Sequence, residues 1–188
     1  MSKVRLYGYP SSGLKQATIE AACGPIYSNS GSSTFTYTTS ERAELSNYCA
    51  AHEPTCIDMV TDATRVGTPR ACSPVQIRDW MYYAQLYNYP STSGNGISVA
   101  EIEAECGPIY NNSGSSTFTY TESERADLLG YCNTYTTSCT DMVNDATRVG
   151  TPRTCSPVQI RNWMSEVRLY GYPTNVGVSL ATIEAGCA

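Results

Sequence analysis

Residues 23–90 of this 188-residue chain align without a gap onto residues 106–173, and 48 of the 68 aligned positions are identical. A fixed period of this length means that each unit is a small structural module, and that modules stack or string together. A third, partial copy is split between the ends: MSKVRLYGYP at residues 1–10 reappears as MSEVRLYGYP at 164–173. Met1 then aligns with Met81 and Met164, so the sequence reads as a window onto a longer array. The expected organisation is the end of a preceding partial repeat at 1–10, unit 1 at 11–90, unit 2 at 91–173, and the start of a following repeat at 174–188.

Units of about eighty residues bury only a modest core and usually need a covalent or metal staple. Four cysteines recur in each period, Cys23, Cys49, Cys56 and Cys72, then Cys106, Cys132, Cys139 and Cys155, with Cys187 opening the next. An even number per unit in a chain rich in Ser, Thr and Tyr reads as a disulfide framework, and so as an extracellular, secreted protein. Zinc is disfavoured because no Cys-x-x-Cys pair occurs and the single histidine, His52, becomes Tyr135 in the second copy. Four cysteines allow three pairings within a unit. Bridges into the next period, such as Cys49 with Cys106 and Cys132 with Cys187, would bolt consecutive units together.

Each period predicts mainly helix with one short β element. Ser73-Pro74 and Ser156-Pro157 place an N-cap hydroxyl before a proline at the first helical position. The helix expected over 74–89, with its counterpart over 157–172, carries Ile77, Trp80, Met81, Ala84 and Tyr87 on one face, and Pro90 stops it. A second helix is expected over 55–66, with Gly67 as its C-terminal cap. A third starts at Thr38 with Glu41 three residues on, a capping box repeated at Thr121 and Glu124. A fourth runs from Ser98 to about Glu105. The alternation Thr34, Phe35, Thr36, Tyr37 suits a strand over 34–38 that must pair within or between units. Residues 50–55 differ from 133–138 at every position, and residues 91–96 are the expected joint between units.

Catalysis finds little support, because a Ser–His or Cys–His mechanism needs a base that the second copy lacks. Asp58 and Asp62, four residues apart and followed by Arg65, read as surface charge pairing on a helix, as do Asp141 and Asp145. They supply too few oxygens for calcium. The net charge of −5 with scattered cations disfavours nucleic acid. No apolar run approaches the roughly 18–20 residues that span a bilayer. Trp80, Met81 and Tyr87, with Trp163, Met164 and Tyr170, form a face that suits the small core and unit–unit contact, or an apolar ligand pocket. Asn111-Asn112-Ser113 is the N-glycosylation sequon.

The cysteine spacing and helix order, carried by Tyr48-Cys49, Cys56-Ile-Asp-Met-Val60, Thr68-Pro69-Arg70-Ala71-Cys72 and the aromatic helix from Trp80 to Tyr89, resemble the elicitins, small secreted disulfide-rich helical proteins that hold a sterol. The resemblance implies a helical unit with a small strand element and an apolar pocket. It also implies pairing of Cys23 with Cys56 and Cys106 with Cys139, leaving Cys49 with Cys72 and Cys132 with Cys155. Elicitins carry six cysteines in three bridges, and each period here carries four.

The expectation is therefore a structural extracellular tandem-repeat protein forming a fibre, filament, coat or adhesive, with no enzymatic activity and no cofactor. The alternatives are a multi-copy sterol or lipid module and a carbohydrate-binding array whose benefit is multivalency. Self-association is the expected partnership, with glycan or lipid as further partners and no nucleic acid.

Overall fold

The computed structural model describes residues 13–24, 32–50, 54–110, 115–132 and 137–188. Among these residues the protein is mainly helical, with nine α-helices, four two-residue strands and four disulfides. The chain divides into two compact units, Met1–Ile109 and Tyr110–Ala188. Unit 1 runs α1 (Gln16–Cys23), β1 (Phe35–Thr36), α2 (Thr39–Asn47), α3 (Thr55–Thr64), β2 (Pro69–Arg70), α4 (Pro74–Tyr87) and α5 (Val99–Cys106). Unit 2 runs β3 (Phe118–Thr119), α6 (Glu122–Gly130), α7 (Thr137–Thr147), β4 (Pro152–Arg153), α8 (Pro157–Tyr170) and α9 (Leu180–Cys187).

Local chemistry sets the helix starts. At α2 the Thr38 hydroxyl accepts from the Glu41 N–H at 3.2 Å, and the Glu41 carboxylate accepts from the Thr38 N–H at 2.9 Å. Both halves of the capping box recur at Thr121–Glu124 and Ser98–Glu101. Ser73 and Ser156 cap α4 and α8 through the N–H groups of Gln76 and Gln159. The helix ends fall earlier than expected. α3 stops at Thr64 because Arg65 turns left-handed at φ 30°, and Gly67 instead donates its N–H to the Tyr37 carbonyl. α4 stops at Tyr87, with Asn88 at φ 62°, before Pro90 is reached. In α8 the same role falls to Gly171 at φ 76°.

The core of unit 1 lies between α3 and α4. Cys56, Met59, Val60 and Ala63 of α3 meet Ile77, Trp80, Met81 and Ala84 of α4, all buried. α2 adds Leu45, and α5 adds Val99 and Ile102. β1 pairs antiparallel with β2 in the register Phe35↔Arg70, and β3 with β4 as Phe118↔Arg153. The strand at 34–38 thus finds its partner inside its own unit and is not offered across a unit boundary. The Tyr37 hydroxyl donates to the Cys72 carbonyl at 2.8 Å and Tyr120 to that of Cys155 at 2.6 Å, so each strand is tied to a bridge.

The compact unit and the sequence period differ in phase. Residues 91–96 do not form a joint: Ser91 is buried, its N–H donates to the Ile97 carbonyl at 2.8 Å, and Gly96 lies so close to Tyr87 that an added Cβ would sit 2.7 Å from the tyrosine Cβ. This turn folds α5 back onto α3 within unit 1. Residues 1–10 lie outside the described residues.

Candidate functional site

The disulfides follow a pairing that the resemblance does not imply. Cys49 bonds Cys56 and Cys132 bonds Cys139, each across seven residues, with Cα atoms 5.4 and 5.6 Å apart. Cys72 bonds Cys106 and Cys155 bonds Cys187, with Cα atoms 4.4 and 4.2 Å apart. The pairs Cys23–Cys56, Cys106–Cys139, Cys49–Cys72 and Cys132–Cys155 are therefore not formed, nor are Cys49–Cys106 and Cys132–Cys187. The physical reason is that Cys49 and Cys56, seven residues apart, bond to each other, which leaves Cys72 to the helix that closes the unit. Cys23, at the end of α1, is an exposed free thiol.

Each unit is organised around a buried arginine that sequence reasoning missed. Arg70 is 1% exposed. Its Nε donates to the Ala63 carbonyl at 3.1 Å, Nη2 to that of Asp62 at 3.2 Å, and Nη1 to that of Pro108 at 2.9 Å. The first two acceptors are carbonyls that the end of a helix leaves without an internal partner, and a cation there also opposes the helix dipole. Burial lowers the Arg70 pKa, and the neighbouring Asp62 and Glu103 charges work against that. Arg153 repeats the arrangement on Ala146 at 3.2 Å and Asp145 at 3.3 Å. A second buried pair, Arg78 and Arg161, lies 3.2 and 3.4 Å from the ring centroids of Tyr48 and Tyr131. The signal for all four was an arginine kept in both copies, with a proline before it and a cysteine two residues on at Arg70 and Arg153, against the usual rule that arginine is exposed.

In unit 1 the repeated carboxylates Asp58 and Asp62 also move inward, whereas Asp141 of unit 2 stays exposed and Asp145 is half-buried. Asp62 is fully buried and its Oδ2 accepts from the Tyr89 hydroxyl at 2.6 Å, so it is not a surface charge pair. In unit 2, Tyr172 donates to Asp145 Oδ2 at 2.7 Å; burial first, then this hydrogen bond, raises the Tyr172 pKa. Beside it lies a cleft of about 420 Å³ lined by Asp141, Asn144, Asp145, Tyr172, Pro173 and Leu180. Among the described residues no group of three His, Cys, Asp or Glu side chains is placed to hold a metal ion.

The aromatic face divides. Trp80, Met81, Trp163 and Met164 are buried in their cores, whereas Tyr87 is 42% and Tyr170 53% exposed, next to Leu86 at 54% and Leu169 at 68%. The last turns of α4 and α8 therefore present the same Leu–Tyr pair to the outside. His52 and the sequon residue Asn111 lie outside the described residues. Among the described residues no helix is long and apolar enough to cross a membrane.

Comparison with family models, with curated proteins and with solved structures returned no match to this chain.

Proposed function

We propose that this is a secreted structural protein whose tandem disulfide-stapled units self-associate into a fibre, filament, coat or adhesive. The observation that carries the reading is the exposed Leu86–Tyr87 and Leu169–Tyr170 pair, set at the same place in each unit. A repeated exposed apolar pair offers every unit the same contact surface, and a head-to-tail contact made through it propagates when it does not close on itself. Four disulfides fit an oxidising, extracellular setting. Asn111 is the place for a glycan on such a protein. The alternative, a sterol or lipid module, draws support from the elicitin resemblance; its apolar candidates Trp80 and Met81 are occupied in core packing, and the cleft beside Tyr172 is lined by carboxylates.

Electron microscopy of the concentrated protein tests the reading. Filaments with an axial repeat tied to the unit are expected, and the double variant Leu86→Ser/Leu169→Ser should abolish them while leaving the circular dichroism spectrum intact. Solution scattering that fits freely jointed, non-interacting units at all concentrations would overturn it.

A further inference from the structure

The four disulfides all lie within a unit, so none of them joins two units or two copies of the chain. A tyrosine that the fold leaves exposed stands at the same place in each unit. Tyr87 and Tyr170 end α4 and α8, and a second tyrosine follows each of them two residues on. The two tyrosines of a pair have opposite surroundings. The hydroxyls of Tyr89 and Tyr172 donate to Asp62 and Asp145. Those of Tyr87 and Tyr170 have no hydrogen-bond partner among the described residues. The root of each exposed side chain is nonetheless held. A Cβ at Gly96 would stand 2.7 Å from that of Tyr87, and one at Gly177 would stand 3.1 Å from Tyr170 Cδ2 and 3.2 Å from its Cβ. Only glycine permits that approach without displacing the tyrosine. The tyrosine and its glycine are nine positions apart in unit 1, seven in unit 2, and six between Tyr7 and Gly13 of the first partial copy. The loop between them changes length while both ends stay. Among the described residues the other exposed tyrosines lack this pattern. Tyr48 lies under Arg78 and its counterpart Tyr131 is buried, while Tyr83 stands edge-on to Tyr82 where unit 2 has Glu166.

We propose that Tyr87 and Tyr170 are the positions at which copies of this chain are joined covalently, by oxidative coupling of their phenol rings. The inference rests on the self-association proposed above and adds the bond that makes it permanent. The oxidant is hydrogen peroxide acting through a haem peroxidase, in the oxidising extracellular setting that the disulfides fit. Each phenol gives up one electron and one proton and becomes a phenoxyl radical. Two radicals join through the ring carbons ortho to their oxygens, and the hydrogens displaced from those carbons pass to the oxygens as the rings regain aromaticity. Two tyrosines and one hydrogen peroxide thus give one dityrosine and two waters. The neighbouring leucine brings the rings together. Leu86 and Leu169 are exposed beside them, so a contact that buries one leucine–tyrosine pair against the pair of a second copy sets two phenols side by side. With two such pairs per chain, each linked to a different copy, coupling extends a row of copies instead of closing a dimer. Tyr89 and Tyr172 stay out of the reaction, because the first is buried and the second is half-buried with its hydroxyl on a carboxylate.

The test adds a haem peroxidase and hydrogen peroxide to the full chain, with a portion imaged by electron microscopy before the oxidant goes in. Dityrosine fluorescence and oligomers that survive reduction and detergent are expected, with Tyr87 and Tyr170 as the linked residues in peptide mapping. Tyr7→Phe/Tyr87→Phe/Tyr170→Phe keeps the rings and removes the phenol hydroxyls, and it should lose most of the covalent oligomer. Tyr48→Phe/Tyr83→Phe should lose none. Leu86→Ser/Leu169→Ser keeps every phenol but not the contact, so its yield should fall as well. Linkages at Tyr48 or Tyr83 as abundant as those at Tyr87 and Tyr170 overturn the inference, as does a yield indifferent to the leucine change. Circular dichroism shows whether each variant keeps the fold; should one not, peptide mapping of the unmodified chain decides alone. Filaments that form without these linkages sink the coupling and leave the fibre reading standing, whereas absence of filaments before oxidation sinks both.

Discussion

Replacing Arg70 by methionine should destabilise unit 1 by about 3–5 kcal/mol. The guanidinium donates to three carbonyls, of Ala63, Asp62 and Pro108, from a site 1% exposed. Each hydrogen bond from a charged donor is worth about 1.5–3 kcal/mol, and the acceptors it leaves behind are buried. Methionine fills much of the volume and removes the cost of burying a cation, which offsets part of the loss. The two units supply the control. Arg153 makes two such bonds, to Ala146 and Asp145, so Arg153→Met should cost less than Arg70→Met by about one bond, roughly 1.5–3 kcal/mol. The two tryptophans, one per unit, make the assay selective. With Trp163→Phe as background, urea unfolding followed by fluorescence reports on unit 1 through Trp80, and the reciprocal Trp80→Phe background reports on unit 2. At a slope of about 1–1.5 kcal/mol per M for units of this size, the Arg70→Met midpoint should fall by about 2–5 M. An unchanged midpoint, or a larger loss from Arg153→Met than from Arg70→Met, would refute the idea that this side chain holds the helix end and the closing segment together.

The long bridges should matter more than the short ones. In the chain-entropy model a closure of 34 residues contributes about 4 kcal/mol and one of seven about 2.5 kcal/mol, so Cys72→Ala/Cys106→Ala should lower the unfolding midpoint more than Cys49→Ala/Cys56→Ala, and unreduced peptide mapping should return these pairs. Trp80→Ala should cost about 3–5 kcal/mol in a thermal melt followed by circular dichroism, and an unchanged melting temperature would place that side chain outside the core. Burial raises the Asp79 carboxyl pKa, with Lys15 acting the other way. An acid whose folded pKa is raised loses stability as pH climbs from its unfolded pKa through the folded one, so Asp79→Asn should stabilise the protein at pH 7 and leave it unchanged near pH 3. Unit 2 carries Asn162 at this place, and a stability change that is equal at both pH values would exclude the mechanism.

Features encoded by neighbours a few residues apart were legible in the sequence, and features set by distant partners were not. The capping boxes at Thr38 and Thr121, the helix start at Ser98, the Ser-Pro starts of α4 and α8, and the apolar face through Ile77, Trp80, Met81 and Ala84 need only the local chain, and they stand where the spacing placed them. Tyr87 departs from that face because the helix ends on it and the returning Gly96 backbone covers only its Cβ side, leaving the ring outward. Asp62 read as a surface charge because its i+3 neighbour is Arg65. Its actual partner, Tyr89, is 27 positions away and arrives only when α4 has packed on α3. The same distance hid the bridges. Cys106 belongs by alignment to the second copy and by packing to the first, because α5 is the helix that packs on α3 and leads into the carbonyls of Cys106 and Pro108 that accept from Ala71 and Arg70. A period read from identity has no preferred starting point, since any cyclic shift of the 83-residue window fits equally well. The bond from Cys72 to Cys106 and the hydrogen bond from Arg70 to the Pro108 carbonyl choose the starting point, and both are three-dimensional facts about where one chain segment ends and the next begins to fold.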